Sequence, residues 1–171
     1  MSSNLDNFVG LSSALIGIST DRLAPQIDPV GLPPIFLDYV TARVPSDVLN
    51  ALLTQYATLV AEHFPPDQIA QQILKFNMQP TIPRTVLAAR SIMKLWLLGV
   101  WYQPFDMAPF KKDDSAVVSD QAYIHSWAWK KSLRLTRWAT ANRFFGYWNS
   151  APSSLEDLTG VSANGQQGAL S

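Results

Sequence analysis

Histidines and carboxylates are the side chains in this 171-residue sequence that could support acid–base or metal chemistry. The two histidines, His63 and His125, fall in different predicted helices, and neither has a second histidine or a cysteine at metal-ligand spacing. Asp113 and Asp114 directly follow two lysines in a polar stretch, where no apolar surroundings would tune a carboxyl group as a general acid. We therefore expect no metal site and no catalytic residue in this chain.

Nucleotide-binding and hydrolase motifs are also missing from the sequence. There is no G-x-G-x-x-G fingerprint and no G-x-x-x-x-G-K-[ST] loop to hold phosphates, and no G-x-S-x-G turn to present a serine nucleophile. Because the chain has no cysteine, it has no disulfide, no thiolate nucleophile and no cysteine-based zinc or iron–sulfur site. The sequence therefore predicts a chain without its own cofactor.

Charge is balanced overall but unevenly distributed. Thirteen basic and thirteen acidic residues cancel, yet residues 1–83 carry three basic and seven acidic side chains, and residues 84–143 carry ten basic and four acidic ones. A cationic region of this kind could contact nucleic acid, anionic lipid or an acidic protein surface. The neutral total and the absence of a recognised nucleic-acid-binding motif argue against nucleic acid.

Aromatic and cationic residues are interleaved over residues 134–152 without a helical period. Since Trp, Tyr and Arg are over-represented among interface hot spots, we predict an extended arm that binds another protein. The residues expected at that interface are Arg134, Arg137, Trp138, Arg143, Phe144, Tyr147 and Trp148. The alternative is that these rings fill the chain's own core. Residues 153–171 are small and polar, and we expect them to form a disordered tail.

The helices that would carry and position the arm form one predicted all-α domain over residues 1–152. Its centre is residues 81–103, where apolar side chains recur at helical spacing between an N-cap at Thr81 and a helix-blocking Pro104. A glycine inside this helix, Gly99, indicates that another backbone or a large ring approaches closely. The uncharged run in the helix is only about ten residues, too short to span a membrane. The predicted core residues are Phe8, Leu11, Leu15, Ile92, Trp96, Gly99 and Val100.

Five to six helices are expected in total. A capping box from Ser3 to Asp6 and a stop at Gly17 bracket the first helix. The other flanking helices are predicted over residues 35–44, 46–63 with a Ser46 cap, 67–76, and from a Ser119 cap onward through Trp129 and Leu133. Residues 19–34 contain four prolines and should cross the core without helix. No segment alternates like a strand, so we expect no sheet beyond incidental pairs.

Three stretches of the sequence resemble motifs of one known family. Residues 8–17 resemble F-x-x-L-S-x-x-L-T-G; residues 92–100 resemble I-x-x-A-W-Y-x-G-[VI], with leucines replacing the alanine and the tyrosine; residues 146–152 resemble G-[FY]-W-x-x-x-P. Residues 117–123 also resemble the segment that opens the family's last helix. The family is the small subunit of bacterial membrane-bound FAD-dependent sugar and polyol dehydrogenases, including those for sorbitol, fructose and glucose.

The resemblance implies a non-catalytic subunit that binds and stabilises a glucose-methanol-choline-type large subunit and assists its maturation or export. FAD would belong to that large subunit, a membrane-anchored cytochrome c subunit would accept the electrons, and the complex would lie at the periplasmic face of the inner membrane. Residues 1–10 show no twin-arginine leader, which would place the chain in the cytoplasm if that absence is genuine. The family's cysteine before the last motif is also absent, so covalent attachment is not expected.

A stand-alone helical binding protein is the alternative interpretation. Such a protein could hold a small ligand, or a haem bound by His125 among Trp127, Trp129 and Met93.

Overall fold

The computed structural model describes residues 3–76, 81–104 and 115–128, and within these ranges it is all-α, as predicted, with one small sheet. The elements in chain order are α1 (Asn4–Ile16), α2 (Thr20–Leu23), α3 (Leu32–Arg43), α4 (Ser46–Ala61), α5 (Pro66–Leu74), α6 (Arg84–Leu98), β1 (Val100–Tyr102), β2 (Ser115–Val117) and α7 (Asp120–Ile124). The described ranges thus hold seven helices, more than the five to six expected, and α2 is a single turn.

The limits of α1 agree with the sequence signals. The backbone N–H of Asp6 donates to the Ser3 hydroxyl at 3.1 Å, and the Ser3 N–H donates to the Asp6 carboxylate at 3.0 Å, which completes a capping box. At the other end, Gly17 adopts the left-handed conformation, with φ of 65°, and ends the helix. Local side-chain chemistry therefore determines both ends of this helix.

The central helix α6 is shorter than the predicted range 81–103. Its N-cap is Pro83, which contributes no side-chain hydrogen bond, so the expected Thr81 cap is wrong. Gly99 ends the helix in the left-handed conformation, with φ of 68°, while its N–H donates to the Leu95 carbonyl at 2.8 Å. The chain then continues into β1. The helix stops here because a left-handed residue turns the backbone away from the helix axis.

The expected close approach at Gly99 is confirmed. A Cβ placed on Gly99 would lie 2.7 Å from both the Ala122 carbonyl oxygen and the Tyr123 Cα, which belong to the backbone of α7. Glycine therefore satisfies two requirements at this position, a left-handed backbone and direct contact with another helix.

A short antiparallel pair, β1 with β2, follows α6, and it is the kind of incidental pair that the sequence analysis allowed. Three-residue strands are too short to show alternation in a sequence. The paired residues are Val100 with Val117, Trp101 with Ala116, and Tyr102 with Ser115. Trp101 points into the core, whereas Tyr102 is exposed and Val100 is only half-buried, so Val100 is not the core helix residue that was predicted. The hydroxyl of Ser91 in α6 donates to the Tyr102 carbonyl at 2.6 Å and fixes the strand to the helix.

The core is built around Trp96 of α6, which is 1% exposed. Its ring lies 6.3 Å from the Phe8 ring of α1 and 4.8 Å from the Phe36 ring of α3, the latter in an edge-to-face arrangement. Such centroid distances are favourable for aromatic pairs. Three helices therefore meet at one indole. The other predicted core residues that are buried here are Phe8, Leu11, Leu15, Ile92 and Gly99.

Prolines stand at the starts of two further helices. α3 begins at Leu32, earlier than the predicted residue 35, because Pro33 and Pro34 occupy its first turn, where a missing N–H costs nothing. The segment 19–34 is accordingly not wholly non-helical, since it also contains α2. In α4 the N-cap is Pro45 and not the predicted Ser46, which is the first helical residue.

The end of α4 carries an unusual backbone conformation. His63 has φ of 62°, a left-handed value that is uncommon outside glycine. The N–H of His63 donates to the Val60 carbonyl at 3.0 Å and that of Phe64 to the Leu59 carbonyl at 3.1 Å, which together form a Schellman motif. The helix therefore ends at Ala61, before the predicted residue 63.

Two more helices differ from the predicted ranges. α5 covers Pro66–Leu74 and not residues 67–76. The Ser119 cap of α7 is confirmed, because the Ala122 N–H donates to the Ser119 hydroxyl at 3.0 Å. However, α7 ends at Ile124, and His125 and Ser126 are not helical, so the predicted uninterrupted helix is wrong at these two residues; Trp129 and Leu133 lie outside the described residues.

The contact between α1 and α4 is tight at Gly10. A Cβ on Gly10 would meet the ring of Tyr56, with Cζ at 2.8 Å. Burial of the phenol in this contact raises the pKa of Tyr56 above its usual value of 10.0.

Candidate functional site

Two cations mark the outer side of α6. Arg90 and Lys94 are both exposed and lie four residues apart, so they project from one face of the helix, as their spacing predicts. They belong to the middle and the C-terminal part of a helix whose opposite side is buried by Ile92, Leu95 and Trp96. The packing of α6 in the core therefore fixes the direction in which these two side chains leave the surface.

Each of these cations lies over an aromatic ring. The Arg90 guanidinium carbon is 5.4 Å from the centroid of Phe76, and the Lys94 ammonium is 4.8 Å from the centroid of Tyr102. Both distances fall within the range of cation–π attraction. Within the described ranges, the charged groups thus face rings and not carboxylates. We call Phe76, Arg90, Lys94 and Tyr102 the cation–ring face.

Three elements assemble this face. Phe76 follows the C-terminal end of α5, the two cations belong to α6, and Tyr102 is the last residue of β1. The hydrogen bond from Ser91 to the Tyr102 carbonyl holds β1 beside α6 at this point. The face is therefore a tertiary feature, because no two of its ring–cation partners are neighbours in sequence.

Apolar side chains border the cation–ring face. Leu97 and Leu98 lie one turn beyond Lys94 on α6, and each is 37% exposed. Val117 of β2 is 51% exposed, and its register places it on the same side of the sheet as Tyr102. Exposed apolar groups beside charged and aromatic ones are typical of a surface that another molecule covers.

Carboxylates gather on a different part of the surface. Asp6, Asp21 and Asp28 line a groove between the start of α1 and the segment that leads into α3. Two of them have structural roles: Asp6 caps α1, and Asp28 accepts the N–H groups of Val30 at 3.1 Å and Gly31 at 2.9 Å. Within the described residues, this groove is separate from the cation–ring face, and Asp6 and Asp28 already stabilise local turns.

The two histidines lie at the ends of different helices. His63 is exposed at the end of α4, and His125 is half-buried at the end of α7, where its backbone N–H donates to the Gln121 carbonyl at 2.9 Å. Trp129, named in the haem alternative, lies outside the described residues. Among residues 3–76, 81–104 and 115–128, no group of three or more His, Cys, Asp or Glu side chains could hold a metal ion. None of the helices described is both long and apolar enough to cross a membrane.

The predicted partner-binding arm, residues 134–152, lies outside the described residues, and so does the predicted tail, residues 153–171. Both remain predictions. In contrast, no pattern in the sequence indicates a role for Phe76 and Tyr102, because their contacts with α6 join distant segments. The only local signal was the spacing of Arg90 and Lys94.

Comparison of the chain with known protein families, with curated protein sequences and with solved structures finds no match in any of the three.

Proposed function

We propose that this chain is a non-catalytic helical subunit that binds and stabilises a larger protein. The observation that carries this proposal is the cation–ring face, where Arg90 and Lys94 lie over rings beside exposed leucines. A few residues carry most of the binding energy in a typical protein interface, and Trp, Tyr and Arg are enriched among them. A surface with these groups and an apolar border suits docking better than it suits chemistry.

The motif resemblance suggests which protein is bound. Residues 8–17, 92–100 and 146–152 resemble the small subunit of FAD-dependent sugar and polyol dehydrogenases, so the proposed partner is a large subunit that carries FAD. A cytochrome c subunit and the periplasmic face of the inner membrane belong to the same proposal. In support, the first two motif segments form one packing unit, since Phe8 of the first lies against Trp96 of the second. This contact gives both motifs a shared structural role.

Purification of the full chain from its native host tests the proposal. A tagged chain is expected to retain a large subunit with flavin absorbance, and the complex should reduce an artificial electron acceptor when a sugar or polyol is added. The separated chain should show no flavin spectrum. A partner without flavin, or stoichiometric flavin on the isolated chain, would reject the assignment. A Soret band in the isolated chain would favour the haem alternative.

The arm, residues 134–152, is proposed as a second contact with the same partner. If Trp138 and Trp148 are anchors worth about 2 kcal/mol each, Trp138→Ala with Trp148→Ala should weaken assembly by about a thousandfold if their effects add. The melting temperature of the isolated chain should then stay unchanged. A lost melting transition with undiminished binding would instead place these rings in the chain's own core.

A further inference from the structure

We propose that the cation–ring face binds an acidic amphipathic helix of the partner protein, a segment with two carboxylates one helical turn apart and apolar side chains beside them. This inference rests on the proposed function only in requiring that the partner is a protein. The inference adds the chemistry of the partner segment that makes the contact and names the residues of this chain that bind that segment.

The spacing of the cations sets the spacing of the carboxylates. Arg90 and Lys94 are four residues apart on α6, which separates them by about 6 Å along the helix axis. Asp or Glu side chains at positions i and i+4 of a partner helix have the same separation. Two charge-assisted hydrogen bonds could therefore form between two helices that lie side by side.

The rings prepare the cations for binding. Each charged group lies over one ring, at 5.4 Å for Arg90 on Phe76 and at 4.8 Å for Lys94 on Tyr102. A ring occupies one side of the cation and leaves other N–H donors available, because guanidinium has five and ammonium three. A held side chain also loses less conformational freedom when it binds.

The apolar border supplies the second half of the recognition. Leu97 and Leu98 follow Lys94 on the same part of α6, and Val117 continues the apolar surface onto the sheet. Apolar side chains on a partner helix, one turn beyond its carboxylates, would cover these groups. An acidic segment without apolar residues would leave them exposed to water.

Charge arguments separate a protein partner from other anions. Anionic membranes are typically recognised by clusters of about four to eight basic residues, and sequence-independent DNA binding commonly uses about six to ten phosphate contacts. The cation–ring face has two cations, and the whole chain has a formal net charge of +0. Two cations beside leucines match a short protein segment better than a phosphate polymer or a lipid surface.

Carbodiimide coupling tests this inference directly. The reagent joins a lysine amine to a carboxylate in contact with it, forming an amide while the carbodiimide takes up the elements of water as a urea. The sample is the complex purified through a tag on the full chain from its native host. Mass spectrometry should find Lys94 coupled to an Asp or Glu of the partner that has a second acidic residue three or four positions away and apolar neighbours.

Three variants control for charge and position. Lys94→Glu should weaken assembly by at least about tenfold, since it replaces an attraction with a repulsion. Lys94→Arg should keep assembly but lose the coupling, because a guanidinium does not react as an amine. Arg43→Glu is the matched control, since Arg43 also lies over a ring, at 3.6 Å from the centroid of Tyr39, but on α3; it should leave assembly unchanged. Circular dichroism of each variant confirms that it folds.

The outcomes separate this inference from the proposed function. A flavin-containing partner that neither couples at Lys94 nor responds to Lys94→Glu would overturn the inference and leave the function standing. Coupling at Lys94 to a partner without flavin would support the inference and overturn the proposed function as the subunit of a flavin-dependent dehydrogenase. Retention of no protein would overturn both. Lys94-dependent binding to phosphatidylserine vesicles or to a single-stranded oligonucleotide, without a protein partner, would also overturn the inference.

Discussion

Replacing Gly99 with alanine is expected to lower the free energy of unfolding by about 3 kcal/mol. One contribution is the backbone conformation, since a left-handed residue with a Cβ costs about 1–2 kcal/mol, and Gly99 has φ of 68°. The other is steric, because the new Cβ would lie 2.7 Å from the Ala122 carbonyl oxygen and the Tyr123 Cα. These are backbone atoms that cannot rotate away, and overpacking of this kind typically costs about 1–3 kcal/mol.

The matched control is Gly17→Ala. Gly17 has nearly the same conformation, with φ of 65°, but a Cβ there would have no neighbouring atom within 4 Å. The free energy of unfolding of Gly17→Ala should therefore fall only by the cost of the left-handed backbone conformation, about 1–2 kcal/mol. For a chain of this size, 1 kcal/mol shifts the melting temperature by about 2–4 °C, so we expect a decrease of roughly 10 °C for Gly99→Ala and of about 4 °C for Gly17→Ala.

Thermal unfolding followed by far-UV circular dichroism, with urea unfolding as a second measure, distinguishes the two contributions. Equal losses for the two variants would refute the reasoning, because the contact between α7 and Gly99 would then contribute nothing to stability. An altered urea m-value in Gly99→Ala alone would indicate that the folded or the unfolded state has changed in compactness. The loss of stability could then not be assigned to the contact with α7.

Three further perturbations follow from the described structure. Trp96→Ala should destabilise by about 3–5 kcal/mol, since it empties the site shared with Phe8 and Phe36; strong acrylamide quenching of Trp96 in the native protein would contradict its burial. His63→Gly should raise the free energy of unfolding in urea by up to about 1 kcal/mol, because glycine accepts φ of 62° without strain. An equal increase in His63→Ala would show that relief of backbone strain is not the cause, since alanine is strained at this φ as well. Burial raises the folded-state pKa of Tyr56, so its contribution to stability is present below the unfolded pKa of about 10 and is lost as the pH rises through the folded pKa. Tyr56→Phe should therefore flatten the loss of stability above pH 10, and an unchanged slope would show that other groups cause that loss.

Helix ends with local chemistry could be predicted from the sequence, and ends without it could not. The two reciprocal hydrogen bonds between Ser3 and Asp6 depend only on a three-residue spacing, so the start of α1 was predicted correctly. Thr81 and Ser46 have equally suitable side chains, yet prolines precede α6 and α4 at the cap position. Ser119 caps α7 without a reciprocal side chain, so residue type alone was sufficient there but not at Thr81 or Ser46, where a proline takes the cap position.

Gly99 shows a different limit. The sequence indicated a close approach at this glycine but not that the helix ends there, because the following Val100, Trp101 and Tyr102 continue the apolar pattern of the helix. Their β-branched and aromatic side chains also suit a strand, and only pairing with β2 selects that alternative. Propensity alone does not decide between the two.

The candidate site was predictable only in part. The one-turn spacing of Arg90 and Lys94 places both on one face from sequence alone. Their ring partners come from the residues just after α5 and from β1, so the contacts depend on packing between segments that no local pattern relates. The arm predicted from composition lies outside the described residues, and its role remains a prediction.

The contact of Phe8, Phe36 and Trp96 has an evolutionary consequence. Three side chains from three helices share one volume, so a change in size at one of them leaves either a gap or an overlap at the other two. Neutral drift at these positions should therefore be correlated. A smaller residue at position 96 should therefore tend to occur together with a larger one at position 8 or 36, because either change alone leaves the three side chains badly packed.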